Sequence, residues 1–177
     1  MSARVVGLDL SMTGTGIAWC DGTTYTVKPR QDGDARLSEI RSEVARAVDG
    51  RRLDLVVIED LPINAKGAGI TGMVHGVVRT WLRDQLVPYA LVVPSSLKKY
   101  ATGNGNANKT DMALAAYKHA AREFRDDNQC DAWWLREMGL DQLGLPVAKL
   151  PAAQRASLKA VKWPGLIGPG MTKELSL

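Results

Sequence analysis

Two short apolar runs in this chain each end in a carboxylate. Arg4-Val-Val-Gly-Leu-Asp9 and Leu55-Val-Val-Ile-Glu59 are rich in β-branched residues and apolar at almost every position. Runs of this length and composition read as strands in a sheet covered on both faces, where neither side of the pleat meets water. An acid at the end of such a run is costly to bury without a partner. The chain is therefore constrained to an α/β architecture with at least two interior strands, each carrying an acid at its end.

The flanking sequence extends this frame. Ser11-Met-Thr-Gly-Thr-Gly16 is turn chemistry, Gly16 to Cys20 reads as a second strand, and Asp21-Gly22 is a hairpin signal leading to a third strand at Thr23 to Val27. Asp34 is a candidate N-cap, followed at helical spacing by Leu37, Ile40, Val44 and Val48, with Asp49-Gly50 as the stop. Pro62 to Gly72 reads as a glycine-rich loop with one cation, Lys66. A helix is expected from about Gly72 to Leu86, a fifth strand at Tyr89 to Val93, and a polar loop at Thr102 to Asn108. Lys109 to Phe124 reads as helix, and Asp126 or Asp127 should cap another reaching about Met138. Pro151 to Val161 is a weaker helix signal, and the Gly/Pro-rich stretch from Pro164 is expected to be mobile. A three-strand meander followed by alternating helices and strands predicts a mixed five-stranded sheet flanked by helices. Its first three strands are antiparallel, and the fourth and fifth are added parallel to the first.

At 177 residues the chain has room for one domain, or one domain with a tail. The formal net charge of +4 is compatible with nucleic-acid binding without requiring it. From Lys149 onward the cations Lys149, Arg155, Lys159, Lys162 and Lys173 face only Glu174, which fits a solvated basic tail or a phosphate-binding one. The two cysteines, Cys20 and Cys130, make neither a disulfide scaffold nor a zinc pattern. With no signal-like N-terminus and no span-length apolar run, a soluble cytoplasmic protein without membrane partners is expected.

Further acids lie downstream in Asp126-Asp-Asn-Gln-Cys-Asp131. Asp127 and Asp131, four apart, share one face of a helix, and so do Asn128 and Asp131, three apart. Each acid alone is more often an Asx-turn or a cap. Together, Asp9 and Glu59 on neighbouring strand ends with Asp131 and Asp127 on a late helix can converge on two divalent cations. Such a pair serves phosphodiester cleavage by generating a water nucleophile, stabilising the leaving oxygen and neutralising the phosphate. Oxygen ligands favour Mg²⁺, with Mn²⁺ as a substitute.

Four stretches resemble the RuvC-type Holliday-junction resolvases of the ribonuclease H-like superfamily, in their divergent bacteriophage form. Gly7-Leu-Asp-Leu-Ser-Met-Thr-Gly-Thr-Gly-Ile-Ala18 is similar to the family's first strand and hairpin, and Val57-Ile-Glu-Asp60 to its second acidic strand. Leu97-Lys-Lys-Tyr-Ala-Thr-Gly-Asn-Gly-Asn-Ala-Asn-Lys109 resembles its lysine, glycine-rich loop, lysine segment, and Asp127-Asn-Gln-Cys-Asp-Ala132 its closing acidic motif. The resemblance implies a ribonuclease H-like nuclease domain over residues 1–148, with 149–177 a basic, partly disordered extension. It implies an Mg²⁺-dependent endodeoxyribonuclease that cuts four-way junctions and other branched DNA as a homodimer, in recombination, repair or phage DNA processing. Asp9, Glu59, Asp127 and Asp131 would be catalytic together with Lys109. Asp9, Glu59, Asp127, Asn128 and Asp131 would be the metal set, and Lys66, Lys98, Lys99 and Lys109 would meet DNA. Asn128 stands where the family has an acid or His, so either Asn128 or Asp127 completes the site. Leu61-Pro62 replaces an aromatic that follows the Glu in many members.

Other residues read more plainly. Adjacent positions Trp133 and Trp134 point about 100° apart on a helix, so one is expected in the core and the other partly exposed. Met73, Val77 and Trp81 form a stripe that reads as core, although the helix after the Glu strand is the dimer interface in the resembled family. His75 and His119 are left outside the site. Two other functions compete: an actin-like-fold ATPase or kinase fragment, suggested by Asp9-Leu-Ser-Met-Thr13, and a non-catalytic nucleic-acid-binding module. The first needs two related domains. The second must explain acids facing phosphate.

Overall fold

The computed structural model describes residues 3–48, 52–61 and 68–165. Five strands, β1 (Val5–Asp9), β2 (Thr15–Ala18), β3 (Thr24–Val27), β4 (Leu55–Glu59) and β5 (Tyr89–Val92), form one sheet in the order β3-β2-β1-β4-β5. The β1–β2 and β2–β3 pairs are antiparallel; β1–β4 and β4–β5 are parallel. This is the expected mixed sheet.

Strand residues alternate between two cores, as the two-residue period requires. Val6, Leu8, Val56 and Ile58 face α1 (Gly33–Val48) and α2 (Ala68–Asp84). Val5, Leu55 and Val57 face the other layer, built from α3 (Pro94–Thr102), α4 (Lys109–Ala120) and α5 (Asp127–Gln142). In the β1–β4 register Val5 pairs with Leu55 and Leu8 with Ile58. One further step puts Asp9 beside Glu59, both on the α5 face.

The helix α5 lies unusually close to the sheet. An ideal Cβ at Gly7 would sit 2.0 Å from the Ala132 carbonyl oxygen, and one at Gly16 would sit 2.1 Å from that of Asn128. Higher on the helix, a Cβ at Gly139 would meet Val5 and Val57 side chains at 2.6 and 2.8 Å. Three glycines thus let helix backbone press directly on the strands, a common use of glycine at a close approach.

Several sequence expectations are corrected. Trp133 and Trp134 are both buried, because α5 is covered by the sheet on one side and by α3 and α4 on the other. Trp133 packs on Phe124 and Trp134 edge-on to Tyr100, while the Trp134 indole N–H donates to the Met112 carbonyl at 3.2 Å. The buried stripe of α2 is Val74, Val78 and Leu82; Met73 is half exposed and Val77 and Trp81 lie at the margin. A one-position shift of the apolar face places the other stripe outside. The helix α2 begins at Ala68, so Gly69 and Gly72 are helical, whereas residues 62–67, with Lys66, lie outside the described residues, as do Asp49-Gly50. The helix α3, with Pro94 at its first turn, has no counterpart in the sequence expectations, and α5 runs four residues past Met138.

Beyond α5 the chain does not trail away at once. A short helix α6 (Ala152–Arg155) and a 3₁₀ turn at Ala156–Ala160 pack on α3. Gln154 and Ser157 are buried, and Leu158, Val161 and Trp163 join the core. The Arg155 guanidinium pairs with the buried Asp141 carboxylate, which also accepts the Tyr100 hydroxyl at 3.1 Å. No helix among the described residues is long and apolar enough to cross a membrane.

Candidate active site

The strand ends of β1 and β4 bring Asp9 and Glu59 together, and their carboxyl groups hydrogen-bond to each other. Two carboxyl groups can do so only when one keeps a proton. Burial, then the negative charge of Asp131 and Asp127, pushes Asp9 up to about 7. Burial, then Asp9 and Asp131, pushes Glu59 up to about 8. Burial and the Asp127 charge raise Asp131 to about 6, against the pull of Lys98 and Lys109.

The start of α5 supplies the opposite wall. Asp126 is its N-cap: its side chain accepts the Gln129 N–H at 3.0 Å and the Thr26 hydroxyl at 2.8 Å. The strand β3 thereby fixes the first turn of α5, and Asp126 is a structural residue. Asp127 and Asn128 then diverge. Asp127 turns to the rim and forms an ion pair with Lys109, which holds the Asp127 carboxyl below its usual range and raises the Lys109 ammonium. Asn128 turns inward. With its amide nitrogen facing these acceptors, it donates to the Gly14 carbonyl at 3.1 Å and to Asp9 Oδ2 at 3.3 Å.

The lysines come from the segment between β5 and α4. Asn108 caps α4 with a reciprocal capping box to Asp111, so Lys109 is the first helical residue and reaches across to α5. Lys98 is partly buried on α3, and its charge acts on both Glu59 and Asp131. Lys99, the next residue, is exposed. The loop between them is ordered by its own polar groups. Gly103 takes a left-handed φ of 84° at the α3 C-cap, and Asn104 accepts the Asn106 N–H at 3.0 Å.

The structure thus brings together Asp9, Glu59, Asn128, Asp131, Asp127, Lys98 and Lys109, and leaves Lys99 outside. Sequence reading missed Gly7 and Gly16 as the residues that set the depth of α5; glycines interrupting β-branched runs were the signal that could have found them. Among the described residues no three acids are arranged as a finished metal cage. The cluster is instead a set of oxygen donors crowded enough to stay partly protonated near neutrality.

The sheet order, three antiparallel strands with two parallel ones added, is that of the ribonuclease H-like fold. No family model matches the chain. Among solved structures, the chain is similar to RuvC of Thermus thermophilus, with a TM-score of 0.65 at 21% identity over 82% of this chain and 99% of that one. The same protein in complex with a Holliday junction substrate gives a TM-score of 0.66 at 21% identity, again over 82% and 99%. The chain therefore shares the fold of that RuvC.

Proposed function

We propose that this chain is a divalent-metal-dependent endodeoxyribonuclease acting on branched DNA, with the Holliday junction as its preferred substrate. One observation carries the reading. Asp9 and Glu59 on neighbouring strand ends and Asp131 on α5 bury three carboxyls together, and burial and then mutual repulsion raise all three, while two lysines stand at the same mouth. A cation relieves this repulsion and a proton only partly does. The donor set is all oxygen, which suits Mg²⁺ or Mn²⁺.

In this reading Asp9, Glu59 and Asp131 hold the metal. Asn128 supplies a neutral oxygen or orients Asp9, and Asp127 serves as the outer acid through its pairing with Lys109. Two bound Mg²⁺ ions would supply Lewis-acid stabilisation of the phosphate and a water of lowered pKa. Lys98 and Lys109 neutralise phosphate charge at the rim, and Lys109 is positioned to favour the charge that builds up as the bond breaks. Lys66 is proposed as a further DNA contact. The two Trp rings are in the core and are not base-stacking groups.

A four-way junction has near two-fold symmetry, which calls for a two-fold dimer. The outward stripe of α2 supports one: Ile70 and Met73 are exposed, and Val77 and Trp81 line a groove against α1 with Arg41, Gly76, Thr80 and Asp84. Recombination or phage DNA processing in the cytoplasm is the setting proposed for such an activity.

Cleavage of end-labelled junction, fork, flap and duplex DNA in Mg²⁺, in Mn²⁺ and in chelator tests the reading. Symmetric metal-dependent cuts in the junction are expected. No cleavage of any branched DNA, or ATP hydrolysis in a parallel assay, would overturn it.

A further inference from the structure

Three stretches of more than twenty residues in this chain contain no acid, 61–83, 85–110 and 142–165. Residues 85–110 carry Lys98, Lys99 and Lys109 without an Asp or Glu, and residues 142–165 carry Lys149, Arg155, Lys159 and Lys162 without one. They are far apart in sequence, but the fold packs them on each other: α3 rests on α6 and on the 3₁₀ turn that follows. A surface kept only for solubility intersperses both signs. In these two packed segments only cations occur, whereas α1, on the opposite layer, mixes Asp34, Glu39 and Glu43 with its arginines.

The second stretch is also held firmly. Gln154 is buried and its side-chain N–H donates to the Ala101 carbonyl at 3.3 Å, at the end of α3. Arg155 is committed to Asp141. The Trp163 indole N–H donates to the Leu158 carbonyl at 2.9 Å, and Leu158 and Val161 pack on the core. Lys159 and Lys162 lie on the exposed side of this fixed segment and make no ion pair among the described residues. Their ammonium groups therefore start from an anchored backbone, which lowers the entropy cost of ordering them on a ligand.

This surface runs into the active site. On α3, Lys98 acts on Glu59 and Asp131, while its neighbour Lys99 faces solvent. We propose that Lys99, Lys159 and Lys162 form a second DNA-binding surface that holds the phosphate backbone of a duplex arm flanking the cleaved strand. The proposal rests on the nuclease reading and adds to it where the uncut arm lies. Phosphates repeat at regular spacing along a duplex, so a row of cations beside the site can register the arm without reading its sequence.

The test is a Lys159→Gln/Lys162→Gln double variant, with an Arg46→Gln/Arg52→Gln variant, exposed and outside the α1–α2 groove, as the control for net charge. Binding of a fluorescent four-way junction is followed by anisotropy across a salt series, in Ca²⁺ to prevent cleavage. Each phosphate that the protein no longer neutralises lowers the log–log salt slope by about 0.9, so the lysine pair should lower it by about 1.8. The control should leave it unchanged, and both variants should keep the parent melting temperature. Parent-like salt dependence in the lysine variant, or equal losses in both variants, would overturn the second surface and leave the nuclease reading standing. A parent protein that binds no junction at any salt would overturn both.

Discussion

The backbone of Asn128 lies so close to Gly16 that any side chain there would place its Cβ 2.1 Å from the Asn128 carbonyl oxygen. Gly7 stands in the same relation to Ala132, one turn further along α5. The depth at which α5 sits on the sheet is thus set by two missing side chains, and with it the distance of Asp131 and Asn128 from Asp9. Gly16→Ala should cost about 1–3 kcal/mol, as overpacking does, and should lower cleavage further than the stability loss explains. Thermal unfolding and single-turnover cleavage, measured together, check this. Parent-like cleavage in a destabilised Gly16→Ala protein would separate α5 depth from the chemistry.

Asp9→Asn and Glu59→Gln should each abolish junction cleavage while retaining or tightening binding. Each removes an oxygen of the proposed metal set, and Asp9→Asn also removes charge that repels phosphate. Asp131→Asn should match them, since its carboxyl shares the same field. Cleavage gels beside anisotropy titrations decide it. Near-parent turnover in any of the three would remove that residue from the metal set.

Without divalent cations the protein should become less stable as pH rises. Asp131, Asp9 and Glu59 are held at about 6, 7 and 8 in the folded state, against about 4 in an unfolded chain. Between those limits the folded state binds more protons than the unfolded one, so stability falls with increasing pH. The contribution is complete below about pH 4 and is lost as pH rises through about 8, where Glu59 titrates. Melting temperatures in chelator should decline across that window, by about 2–4 °C per kcal/mol, and Mg²⁺ should reverse the decline at its alkaline end. Glu59→Gln should flatten the profile. A melting temperature that is independent of pH in chelator would contradict the buried-acid account.

The Lys109–Asp127 ion pair predicts coupling between rim residues. Lys109→Ala should slow cleavage more than it weakens binding, and Asp127→Asn should be milder than Asp131→Asn. The double variant should be no slower than Lys109→Ala alone, because Asp127 acts in part through that lysine. Additive losses in rate would instead make Asp127 an independent metal ligand. Asn128→Ala should disturb the metal titration, since its amide contacts Asp9.

Arg155→Ala should lower the melting temperature by leaving the buried Asp141 carboxylate without its cation. Asp141→Asn in the same chain should recover part of the loss. Truncation after Leu150 should be more damaging than either, because it also removes Gln154, Val161 and Trp163 from their places in the core. A truncated chain that melts like the parent would show that this packing contributes little.

Local pattern determined much of this protein. The strands β1 and β4 were legible because a run of β-branched residues that ends in an acid has few other places in a fold. The acids Asp9 and Glu59 followed, since the two-residue period of a strand fixes which face each takes. The hairpin at Asp21-Gly22 was equally local: the Thr23 N–H donates to the Asp21 carboxylate at 2.9 Å, and Gly22 takes a left-handed φ of 88°. What tertiary structure decided depends on which surfaces meet across long sequence separations. Trp133 and Trp134 are both interior because α5 is packed on opposite sides. The outward stripe of α2 is the one at Met73 and Trp81 because the sheet takes Val74, Val78 and Leu82. Asp127 and Asn128 are adjacent in sequence, yet one turns to Lys109 and the other to Asp9. That choice depends on how far α5 sinks onto Gly7 and Gly16, more than a hundred residues earlier, and no local pattern carries a distance of that kind.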